Sequence, residues 1–173
     1  GDFCIGSKGK AEVILADRNI WSDLRCLLVD NPAIVANVEC AITDSTDGRP
    51  NKWVNLKMSP ELSPALAGLD IAVLSNNHIA DFGPNGIKDT RKTLAKNNVA
   101  MVGEGGNLAE ALMPARVDIE GGSVGIVALC CVTTNSEYIA THQSPGLAPI
   151  GMATIRQAIE NSKNRFDALV VYF

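Results

Sequence analysis

The 173-residue sequence predicts an α/β fold, and three observations predict it. Apolar runs of strand length, such as 33–38, 69–74 and 168–173, alternate with segments of helical periodicity. Helix-opening residues stand between them: Ser59-Pro60, Gly83-Pro84, and Asn107 with Glu110. Three of the apolar segments carry polar residues of ligand type at an end: Asp2 at the first, Asn37 and Glu39 at the second, Asn77 and His78 at the third. A layered sheet brings such ends to one rim, where ligands of open α/β sheets collect.

A chain of this length fits one domain with a substantial core. Hydrophobic residues make up 46% and charged residues 20%, a soluble globular balance. The net charge is −4 and no basic run of five residues occurs, which argues against a nucleic-acid partner. No apolar stretch approaches the ~18–20 residues that cross a bilayer. The five cysteines show no CxxC or Cys/His zinc spacing. They are expected to be mostly buried thiols, with the adjacent Cys130 and Cys131 on opposite faces of a strand. That usage suggests a reducing, cytoplasmic setting.

In chain order, Phe3-Cys4-Ile5 ends a short strand, with Asp2 at its start. Ser22 caps a helix to about Val29, with Leu24, Leu27 and Leu28 on one face, stopped by Asp30-Asn31-Pro32. Ala33 to Glu39 is a buried strand on which Asn37 and Glu39, two apart, share a face. A carboxylate there is either solvated or bound to something positive. Residues 43–50 form a polar loop, and Trp53 to Met58 alternates as an edge strand. A helix opens at Ser59-Pro60 and runs to about Gly68, interrupted near Ser63-Pro64.

Leu69 to Leu74 is the central strand. A turn at 83–86 opens a helix from Ile87 to Asn97, with Ile87, Leu94 and Ala95 inward. Val99 to Val102 is a strand. Gly103-Glu104-Gly105-Gly106 matches no phosphate-binding pattern and is expected as a flexible turn before the Asn107–Glu110 capping box. Residues 116–119 and 124–131 form a hairpin. A long polar loop, 133–149, holds a solvated His142. Gly151 to Asn164 is a helix packing Met152, Ile155 and Ile159 into the core. The chain closes on Asp167 to Phe173, a buried-type strand without a following loop. The sequence is therefore expected to be the N-terminal portion of a longer protein.

Chemistry concentrates in Ser75-Asn76-Asn77-His78-Ile79-Ala80-Asp81, between the central strand and its helix. Asn76 suits a backbone-satisfying turn role. An amide such as Asn77 can ligate a borderline cation, and an imidazole such as His78 can ligate or move a proton near neutral pH. Asp81, three residues on, can orient that imidazole. One aspartate, one glutamate, one amide and one imidazole suit Mn²⁺, Zn²⁺ or Fe²⁺.

The elements "GDFC", "ANVECAIT", "LSNNHIADFGPNGI", "VGEGGNLAEALMPARVDIEGGSVGIVAL" and "SPGLAPI" resemble the bacterial capsule-synthesis family of CapA/PgsA type, over essentially the whole chain. The resemblance implies a layered α/β/β/α sandwich of the calcineurin-like metallophosphoesterase type, here a single CapA-like domain, 1–173, truncated at the C-terminus. It implies a component of poly-γ-glutamate capsule synthesis or export, associated with membrane machinery. It further implies that Asp2, Glu39 and Asn77 hold a divalent metal, that His78 protonates a leaving oxygen, and that Asp81 orients His78. Cys4 stands where phosphoesterases have a histidine, and the family's later histidine elements are not in this sequence, so about half of a two-metal site is expected. The alternatives are a metal-dependent phosphoesterase acting on a small ester or nucleotide, and a non-catalytic binding or assembly module.

Overall fold

The computed structural model describes residues 1–6, 21, 33–133 and 135–173. The expected helix from Ser22, its Asp30-Asn31-Pro32 stop and Cys26 lie outside the described residues. The fold is mixed α/β, as expected, and the chain divides into two compact units: Gly1–Ala72 with His78–Ala100, and Val73–Asn77 with Met101–Phe173.

The strands in and leading out of the first unit are β1 (Asp2–Phe3), β2 (Val35–Val38), β3 (Ala41–Ile42), β4 (Lys57–Met58), β5 (Ile71–Val73) and β6 (Ala100–Val102). β1, β2, β5 and β6 form one sheet in that order, and β3 pairs β4 in parallel. β5 and β6 contribute residues to both units. The β1–β2 ladder is parallel, with Asp2 opposite Asn37 and Phe3 opposite Val38. Val38, Ile42, Met58, Leu66, Ile79 and Leu94 are buried in this unit, each of the aliphatic type that stabilises a core by leaving water.

Two expectations change here. The alternating Trp53-to-Met58 segment becomes strand only at Lys57–Met58, and Trp53 is fully exposed. The Leu56 N–H, which a ladder would use, donates instead to the Asp81 carboxylate at 2.7 Å. The segment opened by Ser59 is a 3-10 helix, Pro60–Leu66, in which Pro64 lacks the N–H that an α-helix needs.

Helix α1 (Gly83–Lys96) begins at the residues expected as a turn, because a proline in the first turn removes only an N–H with no intrahelical partner. Its inward stripe is Gly86, Ile87, Thr90 and Leu94. Ala95, one residue past Leu94, is rotated out and exposed. A Cβ on Gly86 would stand 2.7 Å from Phe82 Cβ and 3.4 Å from Ala41 Cβ, so glycine lets the helix approach β3 closely.

The second unit holds β7 (Glu104–Gly105), α2 (Leu108–Ala111), β8 (Ala115–Ile119), β9 (Gly122–Ala128), β10 (Gly146–Leu147), α3 (Met152–Ser162) and β11 (Ala168–Tyr172). The expected hairpin is present as antiparallel β8–β9, and β11 adds in parallel on the other side of β9. Its core gathers Leu112, Val127, Leu129, Ala148 and Ala158, with Ile155, Leu169 and Val171 packed against them. Of the expected Asn107–Glu110 capping box the N-cap half forms, Glu110 N donating to Asn107 Oδ1 at 3.0 Å, while the Glu110 carboxylate accepts from the Gly106 N–H at 2.9 Å, one residue before the N-cap.

The glycine turn is tightly packed rather than loose. A Cβ on Gly105 would stand 2.4 Å from the Ala111 nitrogen. The loop 133–149 contains β10, which pairs with β7, while His142 is exposed as expected. The α3 stripe departs from expectation: Met152 is 70% and Ile159 48% exposed, and the helix buries Ala158 and Ser162 instead. β11 is likewise half-exposed, with Val170 at 51%. Cys130 is buried and Cys131 exposed, on opposite faces as expected, but Cys4 is exposed too, so the thiols are not uniformly internal.

Candidate functional site

The site in the first unit is built from the ladder upward. Asp2 lies opposite Asn37 in register, and Glu39 is two residues beyond Asn37, so all three side chains share a face. The Asn37 amide donates to both carboxylates, to Asp2 Oδ1 at 2.9 Å and to Glu39 Oε2 at 3.0 Å. Asn37 is buried, Glu39 half-buried and Asp2 exposed. The Asn37 amide, and then Glu39, hold the Asp2 carboxyl below the usual aspartate range. Burial pushes Glu39 up, and Asp2 adds to that, while the positive charge of His78 and Lys52 opposes it. Asp2 and Glu39 thus compete for one proton or one cation.

The second half of the site follows β5. Asp81 is fully buried. Its Oδ2 lies 2.7 Å from His78 Nδ1 and accepts the Leu56 N–H, and its Oδ1 pairs with the Lys52 ammonium. Lys52 Nζ also stands 3.3 Å from His78 Nδ1. A carboxylate flanked by an ammonium accepts, so Asp81 takes a proton carried on Nδ1 and leaves Nε2 as the outward ring nitrogen. The expected His78–Asp81 orientation is therefore present in geometry. The spacing of three residues is what a tight turn brings together.

Asn77 is half-buried and belongs to the second unit. The main-chain carbonyl of Asn76 accepts the Asn135 side-chain amide at 2.8 Å. Sequence reasoning gave one contributor a different role and missed another. Asn37 was expected as a ligand-type residue, yet it acts as the donor that gathers two carboxylates. Lys52 lies 26 residues before His78 in a polar loop, and no spacing signals it.

Among the described residues, no group of three or more His, Cys, Asp or Glu side chains is arranged to hold a metal ion. Asp2 and Glu39 supply two such groups, and their mutual repulsion is what a cation relieves. The donor chemistry, two carboxylates gathered by an amide, fits a hard or borderline divalent ion. Cys4 flanks this ladder, and a hydrogen bond from Cys40 lowers its thiol while that same bond, and then burial, push Cys40 up.

An α/β protein with paired carboxylates beside a His–Lys pair held on one buried aspartate is the class that fold and site define. The chain matches the profile of the bacterial capsule synthesis protein family PGA_cap over residues 1–173, and it belongs to that family. It is 34% identical over 103 residues to a probable polyglutamine synthesis accessory protein of Mycobacterium tuberculosis (strain CDC 1551 / Oshkosh), covering 57% of this chain and 27% of the relative. It is 27% identical over 124 residues to the PGA biosynthesis protein CapA of Bacillus subtilis (strain 168), covering 70% of this chain and 32% of the relative. The chain thus spans about a third or less of the length of these relatives.

Proposed function

We propose that this chain is the site-bearing part of a capsule-polymer synthesis component, acting with membrane machinery that makes or exports poly-γ-glutamate. Family membership and the names of its relatives support the biosynthetic role. One observation carries the site reading: Asp2 and Glu39 converge on Asn37 while Asp81 holds His78 and Lys52. The proposed architecture is the layered calcineurin-like sandwich, a single CapA-like domain. Among the described residues, no helix is long and apolar enough to cross a membrane.

In this reading Asp2 and Glu39 hold a divalent ion, Mn²⁺, Zn²⁺ or Fe²⁺. Asn77, next to His78 in sequence, is a further ligand on the resemblance alone. The ion would supply Lewis acidity and a bound water of lowered pKa. His78 moves a proton at Nε2, and Asp81 fixes the ring through Nδ1.

The test is complementation of a capsule-forming host lacking the full-length protein. The wild type should restore polymer, and Glu39→Ala and His78→Ala should not. Full restoration by both variants would remove the site from the function, and failure of the wild type would remove the biosynthetic role. The His78–Asp81 pair also favours a second reading, a metal-dependent phosphoesterase. Its mark is turnover of a generic phosphodiester with Mn²⁺, abolished in His78→Ala. If neither polymer formation nor turnover depends on the site, a non-catalytic assembly module remains.

A further inference from the structure

Away from the carboxylate site, α1 presents Lys88, Lys92 and Lys96 along one side of a groove of about 910 Å³ in the first unit. The three lysines are exposed and spaced four residues apart. Among the described residues, no hydrogen bond or ion pair engages any of the three ammonium groups. The two carboxylates lining the same groove are engaged: Asp89 Oδ2 accepts from Thr43 Oγ1 at 2.6 Å, and Asp44 Oδ1 accepts from Ser59 Oγ at 3.1 Å. Like charges at this spacing repel weakly across helical turns, and an anionic ligand laid along them would relieve that repulsion. The opposite face of α1, with Ile87, Thr90 and Leu94, already accounts for its packing.

We infer that this groove binds an anionic chain of repeating carboxylates, a γ-linked glutamate polymer, laid along α1. The inference rests on the biosynthetic reading above and adds the place where polymer would be held. Pitch supports it. Four helical residues rise ~6 Å. An extended α-linked repeat of three backbone bonds spans at most ~3.6 Å, so a γ-linked repeat of five bonds comes to about 6 Å. Successive ammonium groups and successive carboxylates therefore keep step. Ser63 and Asn85, which also line the groove, offer polar partners for the chain's amides.

The test measures fluorescence anisotropy of a labelled γ-linked glutamate oligomer on the full-length protein, at low and raised salt. A single-stranded DNA oligonucleotide of equal charge serves as competitor. The expected result is binding that weakens with salt and falls about tenfold or more in a Lys88→Glu/Lys92→Glu/Lys96→Glu variant. The corresponding triple arginine variant should retain it. Melting curves check that the variants fold, and single Lys92→Gln, expected to weaken binding in the same direction, replaces the triple variant if that does not. Unchanged binding in the charge-reversed protein overturns the assignment. So does DNA that displaces the oligomer equally well through the same lysines. Wild-type complementation with no oligomer binding would remove this groove and leave the biosynthetic role standing.

Discussion

Asp81 Oδ2 lies 2.7 Å from His78 Nδ1 while its other oxygen pairs with Lys52, so one fully buried carboxylate holds an imidazole and an ammonium together. The same Oδ2 caps the Leu56 N–H. The 52–56 segment and the 78–81 turn are therefore joined at one side chain.

Asp81→Ala should be the costliest single change in the site. It leaves Lys52 without its buried counter-charge and Leu56 N–H without an acceptor, which costs about 3–5 kcal/mol. His78→Ala removes one of Asp81's partners and leaves the others, so it should cost only about 1 kcal/mol. Urea unfolding of the two variants checks the order. Equal losses would mean that the carboxylate does not organise the cluster.

Glu39→Gln should stabilise the metal-free protein near neutral pH. Burial and Asp2 raise the Glu39 carboxyl, so folding favours its protonated form. That contribution is present below the ordinary glutamate range and is lost as pH rises through the raised value. The neutral amide removes the loss. The gain should be a few tenths to about 1 kcal/mol, discounted for solvent screening at a half-exposed pair. It should fade in acid, where Glu39 is protonated in both states. Thermal melts at two pH values measure it, and a destabilised variant at pH 7 would show that Glu39 is not repelled.

Divalent metal should reverse that preference. With Mn²⁺ or Zn²⁺ at ~100 times Kd, a ligand bound only by the native state adds ~2.7 kcal/mol. The full-length protein should melt higher with metal. The rise should vanish in Asp2→Ala and in Glu39→Ala, and Asn77→Ala tests the ligand taken from the resemblance. A melt that saturating metal leaves unmoved would end the metal reading.

Gly103→Ala should be severely destabilising. Gly103 has φ +86°, and an added Cβ would stand 1.9 Å from Ser75 Oγ, whose hydroxyl donates to the Gly103 carbonyl at 2.8 Å. Left-handed strain of ~1–2 kcal/mol and overpacking of ~1–3 kcal/mol add to about 3 kcal/mol. Denaturant midpoints would record the loss. A near-neutral alanine variant would show that the turn can shift.

Much of this was legible before any coordinates. Strand and helix types followed from short apolar runs and 3.6-residue periodicity, because a buried strand is apolar along its length and a helix turns one face inward. Asn37 and Glu39 shared a face by spacing alone, and Asp81 stood three residues from the ring it orients. Misreadings came where partners decide. Leu56 gave its N–H to Asp81 instead of a ladder, Met152 and Ile159 stayed exposed although their stripe looked internal, and the 83–86 turn proved to be helix.

By itself the sequence determined the α/β class, the family and the residues that could do chemistry, since those depend on local pattern and residue type. Tertiary structure alone decided that Asp2 faces Asn37, that Lys52 reaches Asp81, and that three lysines line one groove. The reason is physical: strand register and loop return are set by long-range packing, which no spacing along the chain encodes.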